Sequence, residues 1–304
     1  MLKVNKLRNL TFDSGERPYL AAASGLVRVG DCLYVIADDE VCLGIFPAYG
    51  DGPGKRFQLV DEKLPEDVAL RKAAKPDLEV LTHLPATVWP PYGALLALGS
   101  GSTPARRRGV LVPLAIEDKP GSPRTIDLGP LYARVARELP NLNIEGAAVT
   151  GDTLRLLQRG NGRVGGNASV DLDLHAFVTY LERATPPSEA LVRNIRSHDL
   201  GALAGVRFTF TDASPLPDGR LVFSAVAEDT PDTYSDGPCL GAAIGLLDAD
   251  GTVAFVEPLD LVFKVEGVHA TVEGFYASLQ LVADGDDPEH AAPLLAATLR
   301  LGRT

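Results

Sequence analysis

The chain has 304 residues, 45% hydrophobic and 23% charged, a globular balance with apolar surface for a large core that argues against disorder. A formal net charge of -11 argues against nucleic acid and anionic membranes as partners, because phosphate backbones are gripped by clustered Lys and Arg. Cys32, Cys42 and Cys239 show no C-x-x-C spacing, so neither a disulfide framework nor a zinc knuckle is indicated.

Met1 to Phe12 mixes Lys3, Lys6 and Arg8 with isolated apolar residues and lacks the apolar run of a secretory signal. No stretch reaches the ~18 apolar residues of a membrane-spanning helix. A cytoplasmic protein is the expectation. From Ala23 onward one short pattern recurs at the head of apolar runs: Ala23-Ser24-Gly25, Leu78-Glu79-Val80, Ile144-Glu145-Gly146, Thr211-Asp212-Ala213 and Val265-Glu266-Gly267. The middle residue is polar each time, and a repeat of this kind divides the whole chain into five units.

Each unit reads as a short strand, a tight turn, an apolar strand, a longer polar loop and two further strands. The turns fall at Val29-Gly30-Asp31, Pro90 to Gly93, Thr150-Gly151-Asp152, Pro217-Asp218-Gly219 and Val272-Glu273-Gly274. The apolar second strands are Leu33 to Ala37, Ala94 to Leu98, Leu154 to Gln158, Leu221 to Val226 and Leu279 to Ala283. The fifth unit has no fourth strand before Thr304, and Lys3 to Phe12 has the length and pattern to supply it. The expected fold is therefore a single all-β domain over residues 1–304, a β-propeller of five four-stranded blades closed by the N-terminal strand. A sixth, degenerate blade over Phe177 to Arg207 is the alternative, although Leu181, Glu182 and Arg183 read better as a short helix in a long connection.

In a propeller the first strand of every blade starts on the face that carries the loop between strands two and three. Glu79, Glu145, Asp212 and Glu266 are therefore expected to ring one mouth of the central channel, with Ser24 in the fifth place. The polar loops fall on that face: Asp38-Asp39-Glu40, Gly99 to Arg108, Gly160 to Asn167, Glu228 to Pro238 and Asp284 to His290. Four acids around one mouth need an explanation, and two stand. A Ca²⁺ ion takes six to eight oxygen ligands, to which Asn141 or Asn143 can add an amide oxygen. Alternatively the acids latch blades together by accepting backbone N–H bonds or pairing with Lys75, Lys264 or Arg207.

The segments Ser24-Gly25-Leu26 with Leu33 to Asp39, Asn143-Ile144-Glu145-Gly146 with Leu154 to Gly160, and Lys264-Val265-Glu266-Gly267 resemble the phytase-like and SdiA-regulated propeller family. That resemblance implies an acid-lined channel mouth with Ca²⁺ and the cleavage of an ester or phosphoester. Glu79-Val80, Asp212 and Ser24 depart from the family's Glu-Gly openings.

Arg159 leads into the glycine-rich run Gly160 to Asn167, and Gly99-Ser100-Gly101-Ser102-Thr103 leads into Arg106, Arg107 and Arg108. Either loop can present backbone N–H groups and a guanidinium to a small anion, or can be a solvated turn. There is no G-x-S-x-G elbow, and no two histidines have H-x-x-x-H spacing; His269 reads as a core histidine. The sequence thus points to a calcium-dependent hydrolase with Glu79, Glu145, Asp212 and Glu266 as metal ligands. Arg159, Arg108, Lys75, Lys264, Asp38, Asp39 and Glu228 are the expected contacts to a small anionic substrate. A non-catalytic ligand- or protein-binding propeller is the alternative.

Overall fold

A strand sandwiched between two neighbouring sheets is buried on both faces and loses the alternation of a surface strand. The second strands here show this: Ala94–Gly99 is buried at every position, and Cys32–Ala37 at all but its first. The outermost strands, such as Lys55–Gln58 and Arg124–Asp127, keep exposed polar residues. The computed structural model describes all residues except 16, 39, 63, 66, 68, 69, 72, 73, 161–165, 184–187, 231–236, 286, 288, 303 and 304, and the Glu189 side chain.

Blade 1 is β2 (Ala23–Val29), β3 (Cys32–Ala37), β4 (Cys42–Pro47) and β5 (Lys55–Gln58). Blade 2 is β6 (Leu78–Leu84), β7 (Ala94–Gly99), β8 (Arg108–Pro113) and β9 (Arg124–Asp127). Blade 3 is β10 (Ile144–Thr150), β11 (Thr153–Gln158), β12 (Asn167–Asp173) and β13 (Val192–His198). Blade 4 is β15 (Val206–Pro215), β16 (Leu221–Glu228), β17 (Cys239–Leu247) and β18 (Val253–Pro258), flanked by the two-residue β14 (Ala202–Leu203). Blade 5 is β19 (Lys264–Glu273), β20 (Tyr276–Asp284) and β21 (Pro293–Arg300), completed by β1 (Val4–Asn9). The first strands pack in the cyclic order β2, β6, β10, β15, β19 and back to β2, so the fold is a five-bladed β-propeller closed by its N-terminal strand. The stretch weighed as a sixth blade instead holds α2 (Leu174–Arg183) and β13, while α1 (Gly129–Val135) follows blade 2. Asp173 caps α2 by accepting the Ala176 N–H at 2.8 Å, and Leu174, Phe177, Tyr180 and Leu181 bury one face of that helix against the seam between blades 2 and 3. Among the described residues no helix is long and apolar enough to cross a membrane.

Apolar side chains fill the seams between blades. Tyr34, Ile36 and Leu43 meet Leu95 and Val110 between blades 1 and 2, and Phe210 and Phe223 meet Leu157 between blades 3 and 4. The innermost strands share one irregularity, a β-bulge whose extra residue is Ser24, Glu79, Glu145, Thr211 or Glu266. A bulge re-aims the side chain it releases from the ladder.

One residue beyond each bulge the five strands come together at the waist of the channel, where the chain carries Gly25, Val80, Gly146, Asp212 and Gly267. A Cβ on Gly146 would stand 2.9 Å from Asp212 Cα, and one on Gly267 2.9 Å from Leu26 Cβ. Glycine is required there by close backbone approach. Gly146→Ala is therefore expected to cost about 1–3 kcal/mol through overpacking against main chain that cannot retreat. A thermal melt equal to that of the wild type would show that the waist yields.

Candidate functional site

The bulges place Glu79, Glu145 and Glu266 at one mouth, and the first and second strands add a second tier. Two residues before the bulges stand Asp77, Asn143, Thr209 and Lys264. Opposite them, where the second strands end, are Ser100, Arg159 and Asp284, with Asp38 in the same place in blade 1. In blade 4 β16 runs two residues further and ends on Glu228. Local sequence thus delivers charged groups from all five blades to one end of the channel.

Those groups form two ion-pair chains. In the first, Lys75 Nζ bonds the Asp38 carboxylate of blade 1 and lies 3.2 Å from Asp77, which also takes Arg106 at 2.9 Å and the Ser100 hydroxyl at 2.6 Å. Asp77 holds these three donors at φ +54°, a left-handed conformation that Asp tolerates better than most non-glycine residues. In the second, Arg159 reaches across three blades: it bonds Glu228, stands 3.3 Å from Glu145 and 3.6 Å from Glu266, and donates to Thr209 Oγ1. Lys264 lies 3.4 Å from Glu266 and 3.6 Å from Asp284, and the Asn143 amide donates to Glu145 at 2.7 Å. Burial works against the Arg159 charge, yet Glu145, Glu266 and Glu228 outweigh it and hold the guanidinium above its ordinary value.

The acids Asp38, Asp77, Glu79, Glu145, Glu228, Glu266 and Asp284 outnumber the cations Lys75, Arg106, Arg159 and Lys264. The surplus concentrates on Glu79. Among the described residues Glu79 makes no hydrogen bond or ion pair of its own, and burial followed by Asp77, Glu145, Asp38 and Glu266 pushes its carboxyl well above the usual range. Burial likewise raises Glu145, to about 7, against the pull of Arg159. Carboxylate oxygens of Asp38, Asp77 and Glu79 all lie within 4.8 Å of one another.

Of the residues expected from sequence, the structure gathers Glu79, Glu145, Glu266, Lys75, Lys264, Arg159, Asp38 and Glu228 at this mouth. Asp212 does not join them. It sits one residue past the bulge, fully buried at the waist, where its carboxylate accepts the N–H groups of Ala213 at 2.8 Å and Val268 at 2.9 Å, with Leu26 as a third donor. The residue equivalent to the three glutamates is Thr211, whose hydroxyl donates to the Val265 carbonyl of blade 5 at 2.7 Å and lies 2.8 Å from Ser224 Oγ, from which it can accept. Ser24 makes the same cross-blade bond to the Leu78 carbonyl at 2.8 Å. Arg108 also turns elsewhere, pairing with Glu62 at 2.9 Å, and Arg106 is the arginine of the trio that enters the cluster. Arg159, engaged by three carboxylates, leaves no open fork for a free anion. Asp39 and residues 161–165 of the glycine-rich loop lie outside the described residues. Asp77 was not anticipated, although the polar residue two places before four of the five bulges is a signal that finds it; Ser100, Arg106 and Asp284 fall in the polar loops expected on this face but were not named as site contacts. At the other end of the channel His269 accepts the Arg28 N–H at 3.4 Å, and burial drives its imidazole down to about 4, the satisfied core histidine expected.

A family model described as "Family of unknown function (DUF6929)" matches residues 19–299. The chain belongs to the DUF6929 family. No curated protein matches this DUF6929 chain. Among solved structures it is similar to the glutaminyl cyclase of Myxococcus xanthus, with 9% identity, TM-score 0.49, and 99% of this chain and 98% of that one covered. It is similar also to a glucose dehydrogenase, with 11% identity, TM-score 0.48 and 99% of each chain covered. A luciferin-regenerating enzyme matches at 10% identity and TM-score 0.42 over 98% of this chain and 95% of that one.

Proposed function

We propose that the protein is a propeller hydrolase of a small anionic ester or phosphoester, phytase-like in its use of Ca²⁺ at the acid-lined mouth. The observation that carries this reading is the trio Asp38, Asp77 and Glu79, three carboxylates with oxygens within 4.8 Å of one another, of which Asp38 and Asp77 pair with Lys75 while Glu79 makes no hydrogen bond or ion pair among the described residues. Calcium–oxygen bonds of 2.3–2.6 Å allow ligand oxygens up to about 5 Å apart, a span the trio meets as it stands. The donor set is entirely oxygen, without His or Cys, which suits a hard cation and not a transition metal. Bound there, Ca²⁺ would supply Lewis acidity and lower the pKa of a coordinated water.

The chain's own residues supply the rest. Glu145, with a carboxyl raised to about 7 and oriented by Asn143, exchanges a proton near neutral pH and is the group suited to take one from an attacking water and return it to the leaving oxygen. Lys75 and Lys264 put positive charge beside the acids, where an anionic substrate group would dock. Arg159 holds blades 3, 4 and 5 in register and so positions Glu145.

The test is a calcium titration of the full chain followed by thermal melting, together with turnover of p-nitrophenyl acetate and p-nitrophenyl phosphate. Ca²⁺ at a hundredfold excess over its Kd is expected to stabilise the wild type by about 2.7 kcal/mol, and Glu79→Gln to abolish that gain with the turnover. A gain equal in both proteins, or absent from both, overturns the metal site. Saturable Ca²⁺ binding without hydrolysis of either ester assigns the mouth to ligand binding alone.

A further inference from the structure

The two ends of the channel are chemical opposites. Below the waist Leu26, Leu81, Ala213 and Val268, each one residue past a waist position, join Val149 of blade 3 as walls of a cavity of about 200 Å³ lined by all five first strands. Among the described residues no carboxylate lines it. Arg28 does, but its guanidinium is engaged at the surface, donating to the Gly30 carbonyl at 3.0 Å and lying 4.6 Å from the centre of the Tyr49 ring. Burial holds both imidazoles of the lining, His83 and His269, below their ordinary pKa and so uncharged at neutral pH. A charged guest would shed its hydration here without gaining a free counter-charge, so the cavity favours a neutral and largely apolar one.

Two polar groups interrupt the apolar wall. His269 is satisfied at Nδ1, which accepts the Arg28 N–H of blade 1, and this places the ring proton on Nε2. That Nε2–H and the Thr82 hydroxyl make no hydrogen bond among the described residues, and neither is sealed from solvent as His83 Nε2 is. The first can donate to an oxygen, and the second can donate or accept. Size selects as well. A cavity of roughly 150 Å³ takes a benzene ring, so this one suits a single ring with a small substituent and excludes a disaccharide or a nucleotide. The surrounding surface is aromatic: among the described residues the exposed aromatic side chains, Tyr49, Tyr92, Phe275 and Tyr276, all lie on turns at this end of the molecule. An exposed apolar patch around a cavity marks a contact surface.

We propose that the lower end of the channel binds a small neutral aromatic alcohol, of phenol to cresol size, with its ring among Leu26, Leu81, Val149 and Val268 and its oxygen bonded by His269 Nε2–H or the Thr82 hydroxyl. The site shares no residue with the channel mouth, so it stands or falls independently of Ca²⁺. Saturation-transfer NMR on the full chain is expected to give a saturable signal with p-cresol, at least fivefold tighter than with toluene, which fills the same space without the oxygen. Thr82→Val and His269→Leu, made together, should weaken p-cresol at least tenfold and leave toluene within threefold of the wild type; toluene thus reports that the cavity is intact. Val149→Phe, at a half-buried position of the wall, fills the space and should abolish both signals. The proposal is overturned if neither molecule saturates, if toluene binds the wild type as tightly as p-cresol does, or if Val149→Phe binds like the wild type.

Discussion

Arg159→Met is expected to lower the melting temperature by on the order of 10 °C at pH 8, the consequence of about 3–5 kcal/mol lost when one partner of a buried ionic cluster is removed. Methionine fills similar space, so the loss is electrostatic: Glu145, Glu228 and Glu266 remain buried together without the guanidinium that spans them. The pH dependence follows from the direction of the carboxyl shifts. Glu145 is raised to about 7 and Glu266 is raised too, in each case by burial first. A carboxyl whose folded pKa exceeds its unfolded value of about 4.3 binds its proton more tightly when folded, so stability falls as pH climbs from that value through the folded pKa. Without Arg159 the folded values rise further. The deficit of the variant should therefore be largest at pH 8 and should shrink by pH 5.5, where the acids take up protons. Melts of both proteins at the two pH values decide it, and a deficit that does not change with pH would reduce Arg159 to a packing role.

This expectation also bears on how the two explanations of the acid ring divide. The bulge position is used in two ways around the circle. In blades 1 and 4 it carries Ser24 and Thr211, whose hydroxyls bond the main-chain carbonyl preceding the next blade's bulge, at Leu78 and Val265. In blades 3 and 5 it carries Glu145 and Glu266, which share Arg159. Only Glu79 of blade 2 makes no hydrogen bond or ion pair among the described residues, although Lys75 and Arg159 feel its charge. Latching and chemistry are therefore not competing accounts of one ring, because the latches hold in place the surroundings in which Glu79 is poised.

Much of this was legible in the sequence because tight turns and doubly buried strands leave strong local marks. Gly30, Gly151, Gly219 and Gly274 take positive φ at turns between first and second strands, and the apolar second strands follow directly. Glu79, Glu145 and Glu266 were legible for the same reason, each standing in a fixed place before an apolar strand. Asp212 misled because the repeat was phased on its carboxylate. The physical phase marker is the bulge, which puts Thr211 in line with the glutamates and Asp212 in line with Gly25, Gly146 and Gly267. Arg106 was lost to Arg108 because the short turn Pro104–Arg106, and not strand alternation, decides which arginine is buried.

Asp212→Ala should destabilise the protein by on the order of 4 kcal/mol without touching the channel mouth. At the waist its carboxylate gathers main-chain N–H groups from Ala213 of its own blade, Val268 of blade 5 and Leu26 of blade 1. Alanine leaves these donors buried with no acceptor, and each unsatisfied group costs about 1–3 kcal/mol. Asp212 is fully buried, so in the wild type this carboxylate and not solvent is the acceptor these donors find. Asp212→Asn keeps one acceptor oxygen in nearly the same volume and should recover about half of the loss, which separates the hydrogen bonds from mere filling of space. Urea unfolding with an unchanged m-value is the measurement, since a lower midpoint at constant m reports stability alone. If alanine at this position shifted stability by less than ~0.5 kcal/mol, the level of an ordinary surface substitution, the blades would be held together by their seams and not by this carboxylate.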